Sequence, residues 1–319
     1  MNKPLHIHRK RLISRTAGPI FLALTVFVST PLVHAQATLV VDDDGQGTAT
    51  NCNAGAPAFS NIQAAVNAAA PGDTIFICPG IYDEQVVVTT SNLTIRGSGT
   101  GSTVLRPTVV AQNTVRPGTT FPVAPILLID GAAGVTVANL TMDGSIADSG
   151  AHVFLTCGGF PFYVGIYYRI SSGSIDSVHV TNIMSATDCT FGILAQSGVG
   201  GVANVVITNN LVDHYGVGGI NCIGQNTACT VTQNTIRGEG PVSDLLQVGI
   251  VIRAEASGAI SGNVITDHFF LPGHGVPQSA AGIFLFFAHP RSNPHLLQEN
   301  IFANNQVNVQ RIGTAAAFD

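Results

Sequence analysis

From residue 165 onward the apolar and polar positions recur as a unit. An apolar-Gly-Ile step appears in VGIYY, FGILA, GGINC, VGIVI and AGIFL, placing Gly165, Gly192, Gly219, Gly249 and Gly282 at intervals of 27, 27, 30 and 33 residues. Between these steps lies a second unit, a short apolar strand followed by Asn and another apolar residue. ITNNLV, VTQNTI, ISGNVI and LQENIF bring Asn210, Asn234, Asn263 and Asn300 into register, and VTVANLTM and VHVTNIM add earlier copies at Asn139 and Asn182. Each period holds two or three strands of roughly four to six residues, rich in Val, Ile and Thr and separated by Gly, Asn and Ser. No helix-length apolar pattern lies between them, so helical crossovers are excluded. Stacked β-units at such a period predict an all-β solenoid, a right-handed parallel β-helix. A β-sandwich also uses short strands and Gly-rich turns but does not explain two features repeating in fixed order. The repeated Asn suits a left-handed corner and a side-chain ladder from turn to turn.

Ahead of the repeats, Ser60-Asn61-Ile62-Gln63 reads as a capping box opening a short helix. The helix is predicted to run through Ala70, with Ile62, Val66 and Ala69 on one face, and to stop at Pro71-Gly72. It would plug the first turn, whose open edges invite other strands, so residues 36–72 form an N-terminal cap region. Strands are expected at Thr74 to Cys78, Gln85 to Thr89 and Asn92 to Arg96. Gly313 to Asp319 offers no comparable cover, so the C-terminal cap is expected to be short, lost or supplied by a partner.

Residues 1–35 change the cellular setting. A basic start (Lys3, Arg9, Lys10, Arg11, Arg15), an apolar run from Pro19 to Val28 and the small-residue site Val33-His34-Ala35 read as a secretory signal peptide. The domain is therefore expected at 36–319, secreted or periplasmic, with no membrane insertion in the mature form. Beyond Ala35, eight basic residues, all Arg, face eighteen acids, for a charge of −10. That balance excludes a nucleic-acid footprint and repels polyanions at long range, so only a local Arg-lined groove would hold an acidic sugar. In an exported chain the six cysteines favour disulfides over metal, paired by chain order as Cys52 with Cys78, Cys157 with Cys189 and Cys222 with Cys229.

The stretch FSNIQAAVNAAAPGDTIFICPGIYDEQVVVTTSNLTIRGSG, residues 59–99, resembles the opening of the pectin-lyase-like superfamily, in particular of pectin methylesterases and other β-helix repeat proteins. The resemblance implies the β-helix fold, whereas that opening is shared by esterases, lyases, hydrolases and proteins with no known catalysis. The esterases' Gln-Asp-Thr-Leu, Asp-Phe-Ile-Phe-Gly and Leu-Gly-Arg-Pro-Trp segments are missing, and the chain has no Trp. Of the polygalacturonase motifs only Gly273-His274-Gly275 is present, without the paired carboxylates that glycoside hydrolysis needs.

Counting outward from the repeated Asn gives Asp213, His214 and Tyr215 in one turn, Arg237 and Glu239 in the next, and Asp267 and His268 in the third. Stacked turns about 4.8 Å apart would gather them on one surface strip. Read as a polysaccharide lyase, Arg237 neutralises a uronate carboxylate, and His214 or His268 abstracts the adjacent proton. Tyr215 protonates the leaving oxygen, and Asp213 or Asp267 orients the imidazole. The same carboxylates are candidates for Ca2+, as is Asp42-Asp43-Asp44, which a solvated acidic turn also explains. Strand ends in a solenoid are polar in any case, so a solvated edge explains the strip equally simply. Scattered His152, His179, His289 and His295 show no metal spacing. Phe160, Phe162, Tyr163, Tyr167 and Tyr168 suit sugar stacking or core packing. The leading reading is an exported carbohydrate-active protein that binds an acidic polysaccharide, with cleavage by β-elimination left open and polysaccharide-lyase chemistry the form it would take. The alternative is a non-catalytic surface or periplasmic repeat protein binding sugar or protein. A third reading, drawn from resemblance, is a periplasmic accessory factor similar to β-helix proteins of metal-cluster assembly.

Overall fold

A computed structural model of the chain describes residues 35–145, 162–184, 190–242, 247–271, 280–286 and 297–313. The expectations placed on residues 1–34, on the Cys157–Cys189 pair, on His152, His274, His289 and His295, and on Phe160 lie outside these residues. The chain divides into Met1–Ala35 and Gln36–Asp319, and every described element belongs to the second unit.

That unit is a right-handed parallel β-helix of three sheets, visited in the same order by each coil. One coil contributes Ala203–Thr208 to the first sheet, Leu211–Val212 to the second and Gly218–Ile223 to the third. The next coil lays Thr227–Thr232, Thr235–Val242 and Val248–Arg253 parallel against them. Inward side chains stack in files. In the first sheet Ile175, Ile207, Val231 and Ile260 are in direct register and fully buried. Such files suit Val and Ile, whose branched side chains pack well on a pleated surface.

The repeating Gly-Ile step has a steric cause. In the third sheet a Cβ on Gly165, Gly192, Gly219 or Gly249 would lie 2.5–2.7 Å from the carbonyl oxygen of the equivalent glycine in the next coil. At that distance a Cβ could enter only if the backbone of adjacent coils moved apart, so the file favours glycine.

Between the first and second sheets, from the coil of Asn139 onward, the chain turns through one left-handed residue in each coil: Asn139, Ser177, Asn209, Gln233, Gly262 and Glu299, with φ between 55° and 66°. The asparagine ladder begins at the following residue. Asn210 Nδ2 donates to Asn234 Oδ1 at 2.9 Å, Asn234 to Asn263 at 3.0 Å and Asn263 to Asn300 at 2.9 Å. The ladder residues are therefore not themselves the left-handed ones, and Asn139 is a corner residue rather than a rung. Asn182 belongs to a different corner, after the second sheet, aligned with His214, Asp267 and Asn304, all of positive φ.

The N-terminal helix spans Ile62–Ala68 and buries Ile62, Ala65 and Val66. It ends before the expected Ala70, and Asn61 rather than Ser60 caps it, accepting from Ala64 N at 2.8 Å. Gln63 forms no capping box. Its amide instead grips Val87 through N–H···Oε1 at 2.7 Å and Nε2–H···O at 3.1 Å. The Glu84 carboxylate caps Ile62 N and Gln63 N at 2.6 and 2.9 Å, anchoring the helix to the first coil. Disulfides join Cys52 to Cys78 and Cys222 to Cys229. In the last described coil Leu297, Phe302 and Val309 continue the inward files but are only partly buried.

Candidate functional site

The expected surface strip separates into two layers. Tyr215 and His268 stand in register as proposed, but both point inward and are fully buried. The His268 Nδ1–H donates to Asn305 Oδ1 at 2.9 Å, which leaves Nε2 to accept from the Tyr215 hydroxyl. Burial pushes the imidazole down to about 4, against the hydrogen bond to Asn305, and pushes the Tyr215 hydroxyl well above its ordinary range. A neutral, satisfied pair sealed in the core has no route to a substrate, so this pair corrects the expectation of one shared surface strip.

The outer layer holds Asp213, His214, Arg237 and Asp267. Asp213 Oδ1 accepts from His179 Nε2 at 2.9 Å and lies 3.3 Å from His214 Nδ1. Burial works to raise its carboxyl, but hydrogen bonds from His179, Thr181 and His214 outweigh it and hold the group well below the ordinary carboxylate range. Asp267 is held low by hydrogen bonds from Asn304 and Thr266, with Arg237 adding a smaller attraction. Arg237 is exposed and lies within the second-sheet strand Thr235–Val242, in register with Thr266, whereas Asp213 follows the strand Leu211–Val212 of the coil before. Two adjacent coils thus share one largely buried carboxylate between two imidazoles, of which His214 is exposed.

The outward face of the third sheet gathers the charges that the sequence does not signal. Its outward files run through Val164, Tyr167, Phe191, Leu194 and Ile223, all buried. Tyr163 and Tyr168, their alternating neighbours, point into the core. The segment ahead of Pro122–Asp130 folds back through an antiparallel strand at Thr114–Val115 and carries Arg116. The Arg116 guanidinium sits 5.1 Å over the Phe162 ring, and its buried Nε has no hydrogen-bond partner. Arg253, in register with Ile223, is partly buried. Burial and then the charge of Arg116 push its guanidinium below the ordinary range. Neither makes an ion pair among the described residues, whereas Arg169 on the same face is matched by Asp130 at 2.7 Å. Asn221, 2% exposed, leaves its Nδ2 without a partner. Two mutually repelling cations and an orphaned amide are thus held on one face of a chain whose net charge is negative. Buried polar groups in this condition are costly unless something pairs with them.

A family model described as periplasmic copper-binding protein (NosD) matches residues 67–317. The chain belongs to the NosD family. The match spans every coil from the cap helix onward, which accords with a fold set by the repeat, and NosD is a periplasmic family. No curated protein matches the sequence. Among solved structures, this NosD-family chain is similar to pectin methylesterase PemA from Erwinia chrysanthemi, at 14% identity over 87% of this chain and 81% of that one, with a TM-score of 0.47. It is also similar to pectin methylesterase from carrot (14%, 87% and 88%, TM-score 0.43) and to the A-module of mannuronan C-5 epimerase AlgE6 from Azotobacter vinelandii (17%, 78% and 63%, TM-score 0.39).

Proposed function

We propose that this periplasmic β-helix protein is a non-catalytic binding protein that takes the carboxylate of an acidic saccharide between Arg116 and Arg253. The observation that carries the reading is the pair of neighbouring guanidiniums without a carboxylate partner among the described residues, on the same sheet face as the unpaired Asn221 amide. A uronate carboxylate supplies the missing acceptors, and the partly exposed Phe162, packed edge to face on buried Phe191 at 5.2 Å, offers apolar surface to a sugar ring. Elimination chemistry needs a base and an acid at the substrate. On this face the one described acid, Asp130, is engaged by Arg169, while Tyr215 and His268 are enclosed in the core.

Copper is named by the family, so the donors bear on it. Among the described residues one set of three ligating side chains comes within 4.8 Å, Asp42 with Cys52 and Cys78, and its sulfurs are joined to each other. His179 and His214 both address Asp213 Oδ1 rather than a common point outside it. The described residues as folded do not fit a copper ion, and no step is assigned to one.

The test is calorimetric titration of the chain with oligogalacturonate and its methyl ester, alongside absorbance of unsaturated product. Binding of the acid but not the ester, lost in Arg116→Gln and Arg253→Gln and kept in His214→Ala, is the expected result. Product formation, or equal binding by both arginine variants, sinks the reading.

A further inference from the structure

Along the helix axis the outward side of the third sheet changes character from coil to coil. Phe162 opens the strand Phe162–Arg169, and two coils on Asn221 stands within Gly218–Ile223. The next coil ends at Arg253, and the coil after that contributes Ala281–Phe286. Register ties these positions into files. Asn221 pairs with Val251 and Val251 with Phe284, while Ile223 pairs with Arg253 and Arg253 with Phe286. Ile283 and Leu285 fill the core, so strand alternation turns Phe284 and Phe286 outward. Both are partly buried, and their rings stack at 5.6 Å with 27° between the planes. Phe284 packs against Val248, Val251 and Ala281, an apolar floor separate from the core. This aromatic platform lies one coil beyond Arg253, and the carboxylate site as described above makes no use of it. Phe162, beneath the Arg116 guanidinium, marks the opposite end. From the coil of Phe162 to that of Phe286 there are four coil steps of about 4.8 Å, roughly 19 Å along the axis. One sugar ring cannot reach both aromatic ends, whereas a short chain of sugars can.

We propose that the acidic saccharide is a chain laid lengthwise across these coils, with its uronate carboxylate at Arg116 and Arg253 and a flanking pyranose on the Phe284–Phe286 platform. The inference rests on the carboxylate reading above and adds the size and direction of the ligand. A pyranose presents an apolar face of C–H groups, and a Phe ring meets it with a flat surface at low entropic cost, since two torsions fix the side chain. The two guanidiniums fix the charged residue, because a carboxylate is the partner they lack among the described residues. The platform supplies contact area for the neighbouring ring. A longer ligand loses more freedom on binding, so contact with Phe284 and Phe286 must exceed that loss to show as affinity.

Calorimetric titration of the full chain compares glucuronate with a tetrasaccharide of one glucuronate and three neutral xyloses, so that length changes and charge does not. The tetrasaccharide is expected to bind at least about tenfold more tightly, a difference of about 1.4 kcal/mol. Leucine keeps the apolar packing but lacks the flat ring. Phe284→Leu and Phe286→Leu should therefore each bring that ratio below about threefold, whereas Phe286→Tyr should keep it. Equal affinity of the wild-type chain for both ligands, or a wild-type ratio in either leucine variant, overturns this inference and leaves the carboxylate reading standing. Binding of neither acid by the wild-type chain overturns the carboxylate reading, and this inference with it.

Discussion

At Asn234 a single side chain satisfies neighbours on two coils. Its amide donates to Ile207 O, Thr232 O and Asn263 Oδ1, and its oxygen accepts from Asn210. Asn234→Ala leaves several buried groups unpaired at about 1–3 kcal/mol each, so a loss of roughly 3 kcal/mol or more is expected in urea unfolding. His268 makes a prediction in pH. Its folded value of about 4 lies below the ordinary 6.5, so the unfolded chain binds the extra proton between those values. Stability from this group is complete above pH 6.5 and is lost as pH falls toward 4, by up to about 3 kcal/mol. His268→Gln should flatten that part of the stability profile, and an unchanged slope would show that the imidazole is not sealed. The sequence placed Tyr215 and His268 in register correctly. It did not reveal their direction, because a left-handed corner residue, His214 or Asp267, precedes each and decides which way the next side chain points.

Among the elements, the third-sheet strands are the most tightly constrained. Gly192→Ala would set a Cβ 2.7 Å from Gly219 O and 2.8 Å from Val212 Cγ1. Coil spacing must open to admit it, at an expected cost of about 1–3 kcal/mol, read as a lower urea midpoint. The same change at Gly101, which has nothing within 4 Å, should be nearly neutral. The repeat was legible because it recurs at coil length and every recurrence has a steric cause. The cap helix was legible as an element but not in its details. Glu84 caps it from the next coil, a long-range contact that a local capping-box pattern cannot contain.

For the whole molecule, the proposed binding role of the arginine pair makes a prediction about stability. Removing one of two repelling, poorly solvated cations relieves strain. Arg253→Gln is therefore expected to raise the melting temperature while abolishing uronate binding, and a lowered melting temperature would mean that the guanidinium has a structural partner. The candidate site was the least legible part of the chain. Arg116 and Arg253 are far apart in sequence and belong to no repeat, and only the fold of the Thr114–Val115 segment onto the third sheet brings them together. Aromatic residues at Phe162 and Tyr167 were the available signal, since they mark that face.

Within the three sheets each described coil pairs its strands with those of the coils directly above and below it, and the coil carrying Leu297, Phe302 and Val309 shields its interior least. Such a spring has no single breaking point. Amide protons should exchange soonest in that outermost turn and progressively later toward the middle, so the molecule would unwind by fraying, turn after turn, rather than fall apart at once.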